Sequence, residues 1–356
     1  MSVKNGMAAE VAMNRPTAAS LAKAAGVSLS TVNRLLHGSG AVRQETVERI
    51  MEAAQTIGFY GLGALRERRR ANLPRRHFAF LMQQSHRPLY RLYAQAILAA
   101  VGRRADAVIA PEVQFADDLA PEAVAAKLLA LGETADAVAV VTADHPLVSQ
   151  AIDELRGRGV PVVAYISDLS AASRAGFVGT DNWKAGRTAA WLLRQTARQP
   201  GKIFPFIGSH RYQCQDISDA SFRSYMREHA PEIQVGETVL THEEPERAYE
   251  IVCRLFKEEP DLIGICVNGG GISGVVQAMR ELPPARQIRI VCRDIGPEGR
   301  KGLSEGLITA ALRHPTDRLP EELIDVMLHL IERRETASIE QRIVPFEIIT
   351  PESLWT

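Results

Sequence analysis

The sequence predicts two parts of different structural class: a small all-α head at the N terminus, followed by a large α/β core of doubly wound parallel sheets. Apolar residues recur at helical spacing around one tight turn within the first 60 residues. Strand-like and helix-like runs then alternate through the rest of the 356 residues. An apolar content of 46% and a charged content of 24% are typical of globular chains rather than disordered ones.

Residues 15–60 predict three short helices around one small core. Gly26, within Ala25-Gly26-Val27-Ser28, can adopt the left-handed conformation that ends one helix, and Ser28 is placed to cap the next. The second helix begins with small, polar or basic residues, which is typical of the helix that a helix-turn-helix unit places in the DNA major groove. The expected core positions are Leu21, Ala22, Ala25, Val27, Val32, Leu35, Leu36, Val47, Ile50, Ala54 and Ile57.

Charge is distributed unevenly along the chain. Residues 15–76 contain 11 Lys or Arg and four Asp or Glu, although the whole chain has a net charge of zero. Because Lys4 and Glu10 cancel, the acidic excess of residues 77–356 must equal the basic excess of residues 15–76. A basic head on an acidic body suits a protein that presents only its head to a polyanion. A three-helix packing module with a solvated basic edge is the alternative, and both the turn chemistry and the local charge favour DNA over it.

A run of residues from 17 to 59 matches a known pattern without a gap. The matching residues are Thr17, Leu21, Ala22, Ala25, Gly26, Val27, Ser28, Thr31, Val32, Arg34, Val42, Thr46, Ala53, Ala54, Gly58 and Phe59. On these residues the chain resembles the headpiece of the lac/gal repressor family of bacterial transcriptional regulators. The resemblance implies double-stranded operator DNA as a partner.

The resemblance also implies which head residues contact DNA. The implied residues are Thr17, Ser28, Leu29, Ser30, Thr31, Asn33, Arg34 and His37. Leu29, Ser30 and Arg34 occupy positions at which the family contacts bases, and Arg34 is suited to a bidentate contact with a guanine edge. The remaining positions mostly contact phosphates or mix both kinds of contact. His37 replaces a usual Asn and Arg43 a usual Ser, and we expect both to alter backbone contacts rather than to abolish binding.

Residues 61–76 predict a hinge or linker, because two glycines, a basic helical turn and Pro74 follow one another. In the family this segment folds as a hinge helix on the operator and inserts a leucine into the minor groove. In this chain the leucine position holds Arg68, with Arg69 as the next candidate. Arg66, Arg68 and Arg69 are suited to follow phosphates or to enter a narrow A·T-rich minor groove. A solvated basic linker is the equally open alternative.

From residue 77 onward, eight strand-like runs alternate with helical patterns. Such alternation predicts parallel sheets with helices on both faces. A break near residues 176–182 indicates two subdomains, an N-subdomain of about 77–177 plus 312–338 and a C-subdomain of about 178–311 plus 339–356. The expected strands are Phe78–Met82, Val108–Phe115, Ala137–Ala143, Val160–Ile166, Ile203–Ile207, Leu262–Asn268, Ile288–Arg293 and Ile308–Arg313.

Polar residues are concentrated where the expected strands end. Ligands of such sheets bind at the carboxyl ends of the strands, so these residues are expected to line one cleft. Asp and Asn side chains can bridge neighbouring hydroxyls, while an aromatic ring can cover the apolar face of a sugar. Taken singly, Asp168 and His314 are better explained as loop caps. The candidate effector-binding residues at strand ends are Gln84, Tyr90, Asp144, His145, Asp168, Asp181, Asn182, Asn268, Arg293, Asp294 and His314.

The family resemblance extends through the core and implies a periplasmic-binding-protein-like fold of two subdomains. Residues 178–193, 268–274 and 292–294 resemble segments at which the family opens its second subdomain or contacts its effector. Residues 143–146 and 167–169 resemble a subgroup associated with sugars and polyols. The family places an effector-binding Arg near Ser218. That Arg is absent from this chain, and Gln215 is a candidate replacement.

Several other classes of protein are disfavoured. No P-loop lysine, G-x-S-x-G or H-E-x-x-H pattern occurs, so we expect neither an enzyme nor a bound cofactor. The four cysteines lack metal-ligand spacing, and Cys266 and Cys292, which fall in apolar strand-like runs, are expected to be buried thiols in a reducing cytoplasm. No run of 18 apolar residues occurs, so no membrane partner is expected. Residues 1–14 are interpreted as a disordered tail rather than a signal peptide.

Together, these patterns predict a cytoplasmic DNA-binding regulator, a repressor, controlled allosterically by a sugar, a polyol or a related metabolite in the core cleft. A homodimer is expected. Whether a tetramer also forms stays open, and the tail after Arg342 lacks the leucine heptads that would build a four-chain bundle. A cytoplasmic sugar-binding protein, or a sugar-acting enzyme with the same cleft, is the alternative. The identity of the effector and the direction of the response also stay open.

Overall fold

The structure is a computed structural model that describes residues 16–40, 42–71, 73–282, 287–333 and 338–354. The expected tail, residues 1–14, lies outside the described residues. The head contains four helices, α1 (Ala18–Ala24), α2 (Leu29–His37), α3 (Gln44–Thr56) and α4 (Leu62–Ala71). The three helices expected from the sequence are therefore present, and a fourth follows in the expected hinge.

The turn between α1 and α2 is built as the sequence predicts. Gly26 has a φ of 63°, a conformation that costs a glycine little because it lacks a Cβ. Ser28 caps α2, since its side chain accepts a hydrogen bond from the backbone N–H of Thr31. Arg49 of α3 donates from Nη2 to the carbonyls of Ala25 and Gly26 at 3.0 and 3.1 Å. These bonds fix the angle at which α2 leaves α1.

The expected head core is confirmed and extends further along the chain. Leu21, Val32 and Ile50 are fully or almost fully buried, and the other expected positions are buried or packed against them. Leu65 of α4 is also fully buried in this cluster. The first half of the segment expected to be a linker is therefore a helix that packs on the head, because Leu65 supplies an apolar contact that a linker would lack.

Beyond the head, strands and helices alternate along the whole core. In chain order the elements are β1 (Arg75–Gln83), α5 (Pro88–Arg103), β2 (Val108–Ala116), α6 (Pro121–Leu131), β3 (Ala137–Val140), α7 (Pro146–Gly157), β4 (Val162–Tyr165), β5 (Gly176–Gly179), α8 (Asn182–Thr196), β6 (Lys202–Ile207), α9 (Gln213–His229), β7 (Gln234–Val235), β8 (Val239–Leu240), α10 (Pro245–Glu258), β9 (Leu262–Val267), α11 (Ile272–Glu281), β10 (Arg289–Arg293), α12 (Pro297–Ser304), β11 (Ala310–Arg313), α13 (Arg318–Arg333), β12 (Glu340–Ile343) and β13 (Glu347–Ile349). No helix in the described parts of the chain has the length and apolarity that a bilayer crossing requires.

The core strands form two sheets, each the centre of one lobe. The first lobe contains a six-stranded sheet in the order β12-β5-β4-β3-β1-β2, with α5 and α13 on one face and α6 and α7 on the other. The second lobe contains a seven-stranded sheet in which β13-β11-β10-β9-β6-β7 follow one another and β8 pairs with β6. Helices α8 and α9 cover one of its faces, and α10, α11 and α12 cover the other. The predicted α/β architecture is confirmed.

The chain crosses between the lobes at different residues than the sequence analysis expected. Strand β5 continues to Gly179 in the first sheet, whereas the expected boundary lay at 177. Strand β12 pairs in parallel with β5, so residues 340–343 belong to the first lobe and not to the second as expected. Strand β13 pairs antiparallel with β11 in the second sheet. The short tail strands are too short to carry a periodicity that identifies their sheet. Each sheet also has a free edge that could accept either strand.

Helices α8 and α9 approach each other closely along a stripe of small residues. Ala185, Ala189 and Ala190 are buried against Phe222 and Met226. Gly186 lies where a Cβ would collide with the Ser218 carbonyl oxygen and the Ser221 hydroxyl. A glycine is therefore required at this crossing, because a larger side chain would force the two helices apart.

Replacing Gly186 with alanine is expected to lower the free energy of unfolding by about 1–3 kcal/mol, since the added methyl group overpacks the crossing of α8 and α9. Gly102→Ala is the matched control, because Gly102 is exposed on α5 with nothing within 4 Å of the added Cβ. The control is expected to be neutral or to stabilise by about 0.5–1 kcal/mol. Urea unfolding measures both changes. An unfolding midpoint of the Gly186→Ala variant equal to that of the original protein would contradict this packing.

Candidate functional site

The exposed face of α2 carries the side chains expected to contact DNA. Ser28, Leu29 and Ser30 are exposed at its first turn, and Leu29 keeps 46% of its surface in solvent. The Ser28 hydroxyl is 2.8 Å from the hydroxyls of both Ser30 and Thr31. These bonds hold three small polar groups in a row on the solvent side of the helix.

The remaining expected DNA contacts surround this row. Arg34 is exposed one turn along α2, where its Nη2 donates to the Thr31 hydroxyl at 3.3 Å. His37 is exposed at the last turn, and Asn33 is half-buried. Thr17 is exposed and forms a capping box with Ser20 at the start of α1. The side chains of Arg66, Arg68 and Arg69 lie outside the described residues, and only their backbone positions in α4 are defined.

A cavity of about 360 Å³ lies between the two lobes of the core, at the carboxyl ends of their strands. Its walls combine tyrosine rings and a glycine run with several buried polar groups. Among the expected effector residues it brings together Tyr90, Gln215, Asn268, Arg293, Asp294 and His314. Further residues on its walls are Arg87, Tyr93, Ile166, Ser167, Tyr212, Cys214, Glu243, Gly269, Gly270, Gly271 and Glu298.

A chain of hydrogen bonds joins the two lobes at one wall of the cavity. The Tyr90 hydroxyl donates to Gln83 Oε1 at 2.7 Å, and Gln83 Nε2 donates to the Tyr212 hydroxyl oxygen at 2.9 Å. Gln83 is the last residue of β1 in the first lobe, whereas Tyr212 belongs to the second. Burial raises the pKa of both tyrosines, so both hydroxyls are protonated at neutral pH. The cavity therefore presents neutral hydroxyls and ring faces on this side.

Elsewhere on the cavity wall, Arg293 lies at the centre of a buried polar network. Its Nη2 is 2.9 Å from the Thr180 hydroxyl and 2.9 Å from His314 Nε2. His314 Nδ1 is 2.7 Å from Asp294 Oδ2, and the His314 backbone N–H donates to Asp294 Oδ1 at 2.8 Å. These contacts assign the His314 proton to Nδ1 and leave Nε2 as the acceptor for Arg293.

The protonation states follow from burial and from this network. Burial lowers the pKa of His314, and the positive charge of the neighbouring Arg293 lowers it further. The attraction of Asp294 raises this pKa but does not overcome those two effects. Burial alone would raise the pKa of Asp294, but His314 and Arg293 together hold it below its usual value. At neutral pH the cavity therefore holds a neutral imidazole, an ionised carboxylate and a guanidinium.

A second polar pair lies beside the glycine run. Gln215 Oε1 accepts from the Gly208 N–H at 2.7 Å, and its Nε2 donates to Glu243 Oε1 at 2.8 Å. Glu243 is almost fully buried. A Cβ on Gly270 would collide with this carboxylate, so the glycine lets the backbone approach it.

Backbone strain is concentrated around the cavity. Three residues other than glycine that line it have positive φ values: Ile166 at 68°, Glu243 at 63° and Asp294 at 53°. Such conformations cost about 1–3 kcal/mol each and cluster at functional sites. The fold therefore holds these side chains in place at the expense of some stability.

The structure places the other expected effector residues elsewhere. Asp144 and His145 line a neighbouring cavity of about 340 Å³ that shares Tyr212 and Glu243 with the first. Asp168 is ion-paired with Arg174, and Asp181 caps α8 by accepting from the Lys184 N–H. These two therefore act as loop and helix caps, the role expected for Asp168 taken singly.

Gln84 and Asn182 are also not among the residues that line the cavity. Gln84 follows β1 in a turn with a φ of 34°. Gln83 precedes it and hydrogen-bonds to Tyr90 and Tyr212, which do line the cavity. Asn182 is the first residue of α8, and its backbone carbonyl accepts from the Ser218 hydroxyl.

Several cavity residues escaped the sequence analysis. Tyr212 and Glu243 lie in loops without a strand-end pattern that could have identified them, and Arg87 precedes a helix. Burial raises the pKa of the Cys214 thiol to about 11, so this cavity cysteine is protonated at neutral pH. Among the described residues, no group of three or more His, Cys, Asp or Glu is placed to hold a metal ion.

Comparison with solved structures shows the fold of the core. A solute binding protein from Agrobacterium vitis with bound D-fucose is 16% identical with a TM-score of 0.69, covering 78% of this chain and 97% of that one. A glucose-galactose binding protein from Geobacillus stearothermophilus is 18% identical with a TM-score of 0.70, covering 79% and 99%. A proposed LacI transcriptional regulator from Bacteroides fragilis is 20% identical with a TM-score of 0.66, covering 79% and 98%.

Family models assign both parts of the chain. Residues 80–335 match the periplasmic binding protein domain, and residues 19–61 match the bacterial regulatory proteins of the lacI family. No curated protein matches the chain. The matched ranges coincide with the two-lobed core and with the head that contains the helix-turn-helix. The chain therefore belongs to the periplasmic binding protein domain family through its core and carries a lacI-family DNA-binding domain at its N terminus.

Proposed function

We propose that the protein is a sequence-specific transcriptional repressor whose affinity for operator DNA changes when a sugar-like or polyol effector occupies the cavity between the core lobes. The observation that carries this proposal is the presence, in one chain, of an exposed recognition helix and a cavity between the lobes that is lined by aromatic and polar side chains. A binding cavity alone would fit a transport protein, and a helix-turn-helix alone would fit an unregulated DNA-binding protein.

The DNA side of the proposal rests on the surface of α2. Its exposed face offers hydroxyl groups for phosphate oxygens, Leu29 for apolar contact with a thymine methyl group, and Arg34 for a guanine edge. The buried face of the same helix holds it on the head through Val32 and Leu35. The basic surplus of residues 15–76 adds a sequence-independent attraction to the backbone.

The effector side rests on the composition of the cavity walls. Tyr90 and Tyr212 offer ring faces and hydroxyls, while Gln215, Asn268 and Glu243 offer amide and carboxylate groups for hydrogen bonds. This combination suits a compact ligand with both hydroxyls and C–H faces. The similar binding proteins with D-fucose and glucose or galactose in their titles support a sugar-like ligand for this chain as well.

Control of DNA binding requires that the effector distinguish two arrangements of the lobes. The Gln83–Tyr212 and Arg293–Thr180 hydrogen bonds link the lobes across the cavity. A ligand held by both lobes stabilises the closed arrangement, and a coupling of about 1–3 kcal/mol is enough for a useful response. We place the protein in the cytoplasm as a homodimer whose two heads meet a pseudo-palindromic operator.

No catalytic role is assigned to the cavity. Its thiol is protonated, its imidazole is held between Asp294 and Arg293, and its carboxylates have hydrogen-bond partners. These groups suit recognition of a hydroxylated ligand without further assumptions. Hydrogen-bonding groups that are fixed by their neighbours favour selective binding.

Gel retardation on the DNA upstream of the gene tests the proposal directly. Retention is expected to weaken steeply as salt rises, because phosphate contacts release counterions. Adding sugars, polyols or their derivatives is expected to shift the retained fraction for at least one compound. Equal retention of unrelated DNA, or indifference to every compound, would overturn the proposal.

Arg34→Ala is expected to weaken operator binding by about 1–3 kcal/mol and to relax base preference at one position, since a bidentate guanine contact is lost. Fluorescence anisotropy with singly substituted operators measures both effects. Arg254→Ala is the control, because Arg254 is exposed on α10 of the core and pairs only weakly with Glu258. Unchanged affinity in the Arg34 variant would remove this residue from the interface.

Asn268→Leu is expected to weaken effector binding about tenfold or more while operator binding without effector is preserved. The Asn268 amide nitrogen faces the cavity with no partner among the described residues, so its loss costs the fold little. Gln277→Leu is the amide-to-leucine control, because Gln277 is exposed on the solvent face of α11. Calorimetric titration and anisotropy are measured together, and a full effector response in N268L would place the ligand elsewhere.

A further inference from the structure

Hydrogen-bond donors predominate among the unpaired polar atoms of the cavity walls. Arg293 Nη1, Asn268 Nδ2 and Arg87 Nε are buried and have no hydrogen-bond partner within the described parts of the chain. The Arg293 and Asn268 residues are only 8% and 6% exposed. Buried donors without partners are costly, so this arrangement requires a ligand that brings acceptors.

Arg293 and Asn268 lie side by side at neighbouring strand ends. Strands β9 and β10 are parallel, with Val267 opposite Cys292, so the next residues along each strand are Asn268 and Arg293. Neighbouring strands are about 4.8 Å apart. A guanidinium and an amide at this spacing can donate together to a single small acceptor group. The partners of Arg293 on its other nitrogen, Thr180 and His314, are neutral, so no hydrogen-bonded carboxylate neutralises it.

Two helices begin at the same end of the cavity. Helix α11 has Gly271 as its N-cap and α12 has Gly296, and neither helix start has a side-chain cap. Residues 269–273 and 296–299 line the cavity. Uncapped N–H groups at a helix start attract negative charge. They therefore add to the unpaired Nη1 of Arg293, which is the independent sign of an acceptor ligand.

The carboxylates of the cavity set a limit on the charge of the ligand. Asp294 is engaged by His314, and Glu298 is ion-paired with Arg280. Glu243 is hydrogen-bonded to Gln215 at the side near Tyr212, which is shared with the neighbouring cavity. Glu243 also lies beside Gly270, close to the start of α11. The cavity therefore favours one negative charge at Arg293 and Asn268 and disfavours a second one.

We propose that the effector is a polyhydroxylated monocarboxylic acid, such as an aldonic or uronic acid, whose carboxylate binds Arg293 and Asn268. This inference rests on the proposed function and names the ligand class of the same cavity. A carboxylate can accept from Arg293 Nη1 and Asn268 Nδ2 together, and its single charge is tolerated beside Glu243 and Asp294. The hydroxyls of the ligand face Gln215, Glu243 and the two tyrosines.

The test compares ligands that differ in one group. D-Galacturonate is compared with D-galactose, and D-gluconate with D-glucitol, by calorimetric titration and by operator retention with the full-length protein. We expect at least one acid to bind about 10- to 100-fold more tightly than its neutral counterpart, since a charge-assisted hydrogen bond is gained. D-Galactose 6-phosphate is included to separate a carboxylate from a phosphate.

Arg293→Gln is expected to reduce this preference for the acid to near unity, while the neutral compound loses less affinity. Because the preference is a ratio within one variant, it is insensitive to a general loss of folded protein. Arg313→Gln is the matched control, since Arg313 ends the neighbouring strand β11 and pairs with Glu347. The control is expected to keep the preference of the original protein.

The outcomes separate this inference from the proposed function. If neutral sugars bind as tightly as their acids and still alter operator retention, the regulator is supported and the acid is excluded. If the phosphorylated sugar binds more tightly than the acids, the carboxylate is wrong. If no compound of any class binds or alters retention, both the effector class and the regulated function lose their support. A preference that survives in R293Q would also overturn the role of Arg293.

Discussion

The buried guanidinium of Arg293 joins the binding cavity to the crossovers between the lobes. Two of its neutral partners, Thr180 and His314, lie where the chain passes from β5 to α8 and from β11 to α13. The same side chain keeps one nitrogen unpaired toward the cavity. Any ligand that binds this nitrogen therefore acts on a group that already holds two connecting segments. Such a link is a physical basis for a hinge that responds to occupancy.

The polar groups and the strained backbone at the cavity lower the stability of the protein, and the large hydrophobic cores of the two lobes offset this loss. Unpaired buried donors and left-handed residues such as Asp294 lower stability. Both sheets are buried on two faces by helices, and strands such as β9 are buried along their full length. Local strain at the cavity is therefore compatible with a stable fold. A ligand that supplies hydrogen-bond acceptors to the unpaired donors recovers the free energy that those donors lose on burial, and this gain contributes to binding.

The sequence predicted what depends on periodicity and on local turn chemistry. The head core, the Gly26 turn and the alternating strands of the core follow from such patterns, and they are present in the structure. The cavity was predicted only in part, because Arg293, Asp294 and Asn268 end strands whereas Tyr212 and Glu243 come from loops. Asp144 and Asp181 also follow strands, yet Asp144 accepts from Gln213 and the Ser170 N–H, and Asp181 caps α8. Which of several polar loop residues faces a cavity depends on packing between distant segments, and no local pattern contains that information.

The central claim is that the cavity and the head are thermodynamically linked, and linkage must be reciprocal. The most direct measurement is the affinity of one effector for the free protein and for the protein saturated with operator DNA. The account predicts that the two affinities differ by the same factor by which that effector changes operator affinity. Equal effector affinities in the two states, for a ligand that occupies the cavity, would contradict the account.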